Sequence, residues 1–528
     1  MPYQHTSLWP KIRRGTRRRL IWVAFGWLVA SASSAWGQDP FPLERVPVTL
    51  RLELAELYFQ DVNADRREDL ILLEVDRSRR SVRAFLRVLV QKGIAGQGIN
   101  FRDTTSQPML LPGDVLMLNP AMTPTGPALA VVRPGWLELW PWENNRFNME
   151  AARKLKVDSL FNSTGGEPIT GWDWVVDLNH DGVSEFMLPQ FDGMVLVTQE
   201  GAELQQKARM GYRVDMGVSS GSGSIMRFSQ PSVSYRLPSV FFVQANGEGW
   251  LDLLVYDEGL TQLYFLSENV SGDVKPSYSS DFQPPKPFNL EDEREMSLDL
   301  VAAGDFNQDH RLDLLFRKSS GYNSSLSTTT WFYAHYGTAS DRRYFNEEPD
   351  QSWEWEGLAL PFMLDMNHDG RLDLITVFAE ISLWGVASAW SSGTTSAEGH
   401  YLLMQPNGQF LDESDEVFQY EVGFETGRGG HQPIVIFEDV NTDGIPDLLL
   451  SISPDEMGVH FGQLKEPWPE DPDMVIEAHL PTRSHTVYAR DLNGDGRTDL
   501  ILTYSREDRR KMPDVDGTLV VVFPLPLR

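Results

Sequence analysis

Seven stretches of the chain set oxygen-bearing side chains at the first, third, fifth and ninth positions of a nine-residue run. Three are complete, with glycine in sixth place: Asp365, Asn367, Asp369 and Asp373; Asp439, Asn441, Asp443 and Asp447; and Asp491, Asn493, Asp495 and Asp499. Asp177, Asn179, Asp181 and Glu185 keep the glycine and end on a longer carboxylate. In Asp305, Asn307, Asp309 and Asp313 the sixth residue is His310, and in Asp61, Asn63, Asp65 and Asp69 it is Arg66. The run of Gln244, Asn246, Glu248 and Asp252 has lost its leading aspartate and ranks last.

Hard oxygen donors at odd spacing, with a residue that turns at φ > 0 in sixth place, describe a calcium loop. The seventh-position carbonyl can add one more oxygen. Calcium is therefore the expected cofactor at all but the Gln244 run. An EF-hand would need glutamate at position twelve, and a dockerin-type loop would continue into a helix. Here each run continues into β-branched or leucine-rich residues such as Leu448-Leu449-Leu450, which suits a hairpin. The metal-free alternative is an Asx turn that braces the same hairpin.

What positions these loops is a repeat. Their first residues fall at 61, 177, 244, 305, 365, 439 and 491, a period of about 60 with one double step. In the double step, the segment from Gly113 reads as a copy whose loop has lost its carboxylates. Each unit holds short apolar or alternating runs bounded by Gly, Pro or Asp, and sustained helical periodicity is nearly absent. About 60 residues accommodate four short strands, one propeller blade. The expected fold is all-β: a β-propeller of four-stranded blades, eight favoured and seven the alternative, with the loops in blade hairpins. A linear β-solenoid has much shorter rungs. The run Val46–Leu54, lent to the last blade, would close the ring and remove two open sheet edges.

Composition narrows the function classes. The 528 residues carry 46 Lys+Arg against 75 Asp+Glu, a net charge of −29, and no cysteine. Disulfides, thiolate metal sites and a cysteine nucleophile are thereby excluded, and so much negative charge opposes nucleic-acid binding. Residues 1–37 read as a signal peptide: six basic residues, an apolar stretch from Leu20 to Ala30, then Ala35-Trp36-Gly37. That apolar stretch is too short to span a bilayer. The expectation is an exported chain (periplasmic, cell-surface or secreted) with residues 38–528 as one domain and no membrane span. Gly217-Val218-Ser219-Ser220-Gly221 matches G-x-S-x-G, but Ser-Gly-Ser follows where a hydrolase elbow needs a helix, so it reads as a loop. The ten histidines form no metal motif, and His180 and His368, fourth in their loops, are expected to face solvent. Clustered tryptophans (Trp136, Trp140 and Trp142; Trp172 and Trp174; Trp353 and Trp355; Trp384 and Trp390) suit packing between blades, with sugar stacking as the alternative. Polar insertions near 318–330, 379–400 and 424–432 are candidate recognition loops.

The tandem D-x-N-x-D-G-x-x-D-L loops resemble the FG-GAP/VCBS-type repeats of integrin α-subunit propellers and of many exported bacterial proteins. The resemblance covers nearly all of residues 46–528. It implies a calcium-binding propeller that works as an adhesion, glycan-capture or scaffold module, with an extracellular or envelope protein or glycan as partner. Such propellers also include some polysaccharide lyases. A calcium-dependent lyase or glycoside hydrolase is therefore the rival, and it requires acid/base residues converging on a pocket.

Overall fold

The apolar runs after the acidic loops become strands buried on both faces. Leu70 and Leu72 pack into one cluster while Ile71 and Leu73 pack into the next. Leu314 and Phe316 likewise face one way and Leu315 the other. Period-two side-chain direction with both faces covered explains why these runs are continuously apolar rather than alternating. The computed structural model describes residues 46–524, apart from 79–80, 93–98, 104–107, 161–162, 202, 221–230, 258, 283–297, 320–328, 339–343, 357, 380–393, 413–415, 424–433, 464–467, 483–485, 506–507 and 509–517. The signal-peptide segment, Trp384 and Trp390, and most of the three polar insertions lie outside the described residues.

Strands dominate, and they form small, almost wholly antiparallel sheets in a β-propeller arrangement. Among the described residues, eight sheets have four or five strands, and a two-stranded hairpin stands apart. Their first strands are Glu53–Gln60, Met117–Thr123, Val175–Val176, Ser239–Val243, Leu298–Gly304, Leu358–Leu364, Val435–Glu438 and Val487–Arg490. We number the sheets one to eight in that order.

Each sheet shares an apolar cluster with the next. Trp140 of the second sheet packs with Ile71 of the first, Phe186 of the third with Leu139 of the second, and Tyr264 of the fourth with Met187 of the third. Leu254 joins Phe316, Phe332 joins Leu374, and Ile375 joins Leu448. The last cluster joins three sheets, with Leu449 of the seventh, Leu500 and Leu502 of the eighth, and Leu70 and Leu72 of the first. The chain of contacts thus returns to its start.

The run Val46–Leu54 divides. Val46–Thr49 pairs antiparallel with Thr518–Pro524 and completes the eighth sheet, whereas Glu53 begins the first. A strand from the beginning of the chain therefore fills an edge that would otherwise stay open. A buried ion pair fixes the crossing: Arg87 donates to Glu74 at 3.2 Å and to the Thr49 carbonyl at 2.8 Å, and the Arg51 amide donates to Glu74 at 3.0 Å.

Two expectations need correction. Gly217–Ser220 lies in the strand Asp215–Ser220, paired with Pro231–Arg236, and not in a loop; a strand hydrogen-bonded along its length is no nucleophile elbow. The insertion drawn over 379–400 is shorter, since Thr394–Leu402 is a strand paired with Asp373–Ala379. The carboxylate-free copy is the hairpin of Met117–Thr123 and Gly126–Arg133, whose turn is reduced to Pro124 and Thr125.

Candidate functional site

All seven acidic runs join the first strand of a sheet to its second, and the six that begin with aspartate share one hydrogen-bonded turn. At 365–373, Asp365 accepts the Asp369 amide at 3.1 Å and the Gly370 amide at 2.8 Å. Asn367 accepts the Asp369 amide at 3.0 Å, and Asp369 accepts the Arg371 amide at 2.9 Å. The same bonds recur around Asp177, Asp305, Asp439 and Asp491. Short oxygen-bearing side chains therefore fold this loop by capturing local amides.

The turn demands two left-handed residues, of which sequence reasoning found one. Sixth-position φ is positive at Arg66 and His310 (66° and 63°), as at the glycines. Fourth-position φ is positive as well: Ala64 61°, His180 58°, Gln308 62°, His368 58° and Thr442 60°, with Gly247 and Gly494 in the other two loops. Those two glycines were the available signal. Seven non-glycine residues of these loops lie in this region, each at a cost of roughly 1 kcal/mol, strain that a bound cation would offset.

The ninth-position carboxylates are buried and differ from the rest. Asp373 accepts the Met366 amide at 2.9 Å and the Met404 amide at 2.7 Å, so it ties the loop to the third strand's exit. Asp69, Asp252, Asp313 and Asp447 do the same. In Asp499, Oδ2 accepts the Leu492 amide at 2.8 Å, while buried Oδ1 has no partner. Burial raises the acid to about 6 in Asp69, Asp252 and Asp373 and to about 7 in Glu185, Asp313, Asp447 and Asp499. Backbone hydrogen bonds oppose the rise, and neighbouring loop carboxylates add to it.

Among the described residues no three acidic or histidine side chains are gathered into a ready cation cage. The donor chemistry nevertheless fits calcium: each loop oxygen that accepts one amide keeps a second lone pair, and the set is hard and anionic. The fifth-position carboxylate separates the loops in a way sequence grading did not. A seventh-position guanidinium takes its outer oxygen in three of them, Arg67 on Asp65, Arg311 on Asp309 at 2.9 Å and Arg371 on Asp369. In the 177, 439 and 491 loops the neighbouring asparagine amide takes it instead, at 3.0, 3.1 and 3.2 Å. The Gln244 loop lacks the bonds its missing aspartate would accept, and Gln244 Oε1 is buried without a partner.

The loops also touch one another. The eighth-position amide of one loop donates to the second-position carbonyl of the preceding one: Leu251 to Leu178 at 2.7 Å, Leu372 to Phe306 at 2.9 Å, and Glu68 to Leu492 at 3.0 Å. The last bond links the first sheet to the eighth. His368 Nδ1 lies 3.1 Å from the Gly444 carbonyl and Gln308 donates to that of Gly370, so His368, exposed as expected, also reaches the next loop.

A pocket of about 510 Å3 opens beside this belt, lined by Glu68, Glu438, Tyr488, Ala489, Arg490 and Asp491. Arg490 forks onto Glu68 (3.0 and 3.1 Å) and lies 4.9 Å from the Phe59 ring centre. Burial raises the acids of Glu68 and Glu438 and lifts Tyr488 to about 12. Three carboxylates, a tyrosine and an arginine thus share one wall. Among the tryptophans, Trp140, Trp174 and Trp353 are buried between sheets, and Trp136 is exposed.

No family model matches the chain, and no curated protein matches it in sequence. Solved structures that are similar include the Agrocybe aegerita lectin described for recognition of non-reducing terminal N-acetylglucosamine (11% identity, 75% of this chain and 91% of that one, TM-score 0.37). Others are BBS1N in complex with ARL6DN (11%, 92% and 96%, 0.33) and the V. cholerae biofilm matrix protein Bap1 (11%, 90% and 88%, 0.30). At such identity and overlap these likenesses carry no argument about what this chain binds.

Proposed function

We propose that the chain is an exported, calcium-stabilised β-propeller of the FG-GAP/VCBS type, with eight blades in one closed ring, that acts as a binding module for an extracellular or envelope glycan or protein. The observation that carries this reading is the belt. Six loops with a full donor set sit at one strand junction, share one turn and are chained to their neighbours. Asp365, Asn367, Asp369 and Asp373 and their counterparts would hold the cations, with Asp439 and Asp491 leading the loops least opposed by an internal guanidinium. Bound calcium supplies charge neutralisation and rigidity. The residues supply the turn, the burial and the links between blades. A rigid ring of this kind presents its connecting loops as a recognition surface.

The pocket beside the belt favours a second reading, a calcium-dependent polysaccharide lyase or glycoside hydrolase. It ranks below binding because Glu68, the carboxylate best placed for proton transfer, is already held by both arms of Arg490. One experiment separates the two. The purified chain is incubated with acidic and neutral polysaccharides in calcium or in EGTA, and both retention and newly formed chain ends are measured. Calcium-dependent retention without cleavage supports a binding module. Cleavage abolished by Tyr488→Phe overturns it in favour of an enzyme.

A further inference from the structure

Among the described residues seven large apolar side chains are well exposed, and only two of them are aromatic: Trp136 at 43% and Phe191 at 47%. Phe191 belongs to the lining of one cleft. It has a volume of about 410 Å3, lies between the second and third sheets, and is lined by Gly135, Asp158, Ser159, Gln190, Phe191 and Arg209, among others. Trp136 follows Gly135 directly. Residues Pro134 and Gly135 turn between the second and third strands of their sheet, and Phe191 and Asp192 do so in theirs. The acidic loops join first strands to second, so in antiparallel sheets these turns lie at the opposite end from the belt.

The cleft walls are fixed by backbone bonds. The Val157 amide donates to the Gly135 carbonyl at 3.1 Å, and the Tyr212 amide to the Asp192 carbonyl at 3.3 Å. Gly193, at φ +149°, lets the Phe191 turn lie against its neighbour, since a Cβ there would stand 2.0 Å from the Met210 carbonyl oxygen. Gln190 is buried and donates to the Asp158 carbonyl at 3.4 Å. Arg209 pairs with Asp192 across the mouth. Pre-set walls reduce the ordering cost of binding.

We propose that this cleft is a saccharide subsite for neutral glycans, which rests on reading the propeller as a binding module. A sugar ring offers an apolar C–H face to an aromatic side chain and hydroxyls that both donate and accept. The cleft answers both, with the exposed Phe191 ring in its wall and carboxylate, hydroxyl, amide and guanidinium groups beside it. An anionic ligand would meet Asp158 and Asp192, and a cationic one Arg209. A neutral polyol meets no opposition. The volume lies in the range of small-ligand sites.

The test is a panel of immobilised neutral oligosaccharides (gluco-, manno-, xylo-, galacto- and N-acetylglucosamine-based) probed with the wild-type chain, Phe191→Ala, Asp158→Asn and, as control, Leu360→Ala. Leu360 is as exposed as Phe191, at 48%, and lies in the sixth sheet. The expected result is that the wild-type chain and Leu360→Ala bind alike, whereas Phe191→Ala and Asp158→Asn bind at least tenfold more weakly with unchanged melting. Undiminished binding by both cleft variants would overturn the subsite and leave a glycan-binding propeller whose site lies elsewhere. No binding by the wild-type chain would also overturn it, while the binding-module reading would still stand or fall on polysaccharide retention without cleavage.

Discussion

Asp373, Asp447 and Asp499 show how one residue type takes two roles within a single loop. Their partners at positions one, three and five are part-exposed or exposed, buried Asn493 excepted, whereas these are fully buried and hold their protons up to about 6 or 7. In the metal-free chain the sign follows directly. A carboxyl whose folded pKa lies above its unfolded value stabilises the fold at low pH, and that contribution is lost as pH rises through the folded pKa. His335, buried and held down to about 4 by burial, acts oppositely, and its contribution is lost as pH falls below about 6.5. His400 and His460 are lowered by burial too, but seven raised carboxyls outnumber these three histidines between pH 6 and 8: in EGTA the melting temperature should fall as pH rises. In calcium it should rise instead, because deprotonation completes the donor set. Thermal melts at both pH values check this. Single loops are also unequal. Asp495→Ala should lower calcium stoichiometry by one in calorimetry, Glu248→Ala should leave it unchanged, and Arg371→Gln should tighten its loop several-fold by freeing the Asp369 carboxylate. Equal losses in the first two would contradict the ranking by donor set.

At the scale of the element, the loops and the strands after them were legible because both are local. Ligand spacing and apolar runs are written within about fifteen residues, and the structure places every acidic run at the same strand junction. What could not be read depends on distant partners. The Arg371–Asp369 pair gave only an arginine in seventh place, and the left-handed fourth position was visible only at Gly247 and Gly494. The parallel addition of Gly272–Val274 to the third sheet, against Glu203–Gly211, has no sequence signal. The division of Val46–Leu54 between two sheets was half visible: length suggested the loan, and pairing with Thr518–Pro524 fixed its extent. That strand is open to test. Val48 is buried and Pro47 exposed, so Val48→Asp should cost at least about 3 kcal/mol by burying an unpaired charge. Pro47→Asp should change stability by no more than about 0.5 kcal/mol. Denaturant unfolding of the two variants gives the comparison, and similar losses would mean that this strand does not hold the eighth sheet together.

For the whole molecule, the contact between first and last sheets and the chained loops make calcium and ring integrity one problem. The Glu68 amide on Leu492, the Arg490 fork on Glu68 and the shared cluster around Leu70, Leu449 and Leu500 all meet where the first and eighth sheets come together. Filling the 491 loop should therefore stiffen the first sheet as well as the eighth, and amide exchange in Asp69–Asp76 should slow when calcium binds. The central claim, that the loops hold calcium in the folded state, is tested most directly by the melting temperature of the purified chain in EGTA and in millimolar calcium. Each occupied site adds about 2.7 kcal/mol at a hundredfold excess over its Kd. A rise of many degrees is the expected result, with magnesium at the same concentration giving much less. An unchanged melting temperature would contradict calcium binding and leave the seven loops as Asx turns that brace hairpins without a metal.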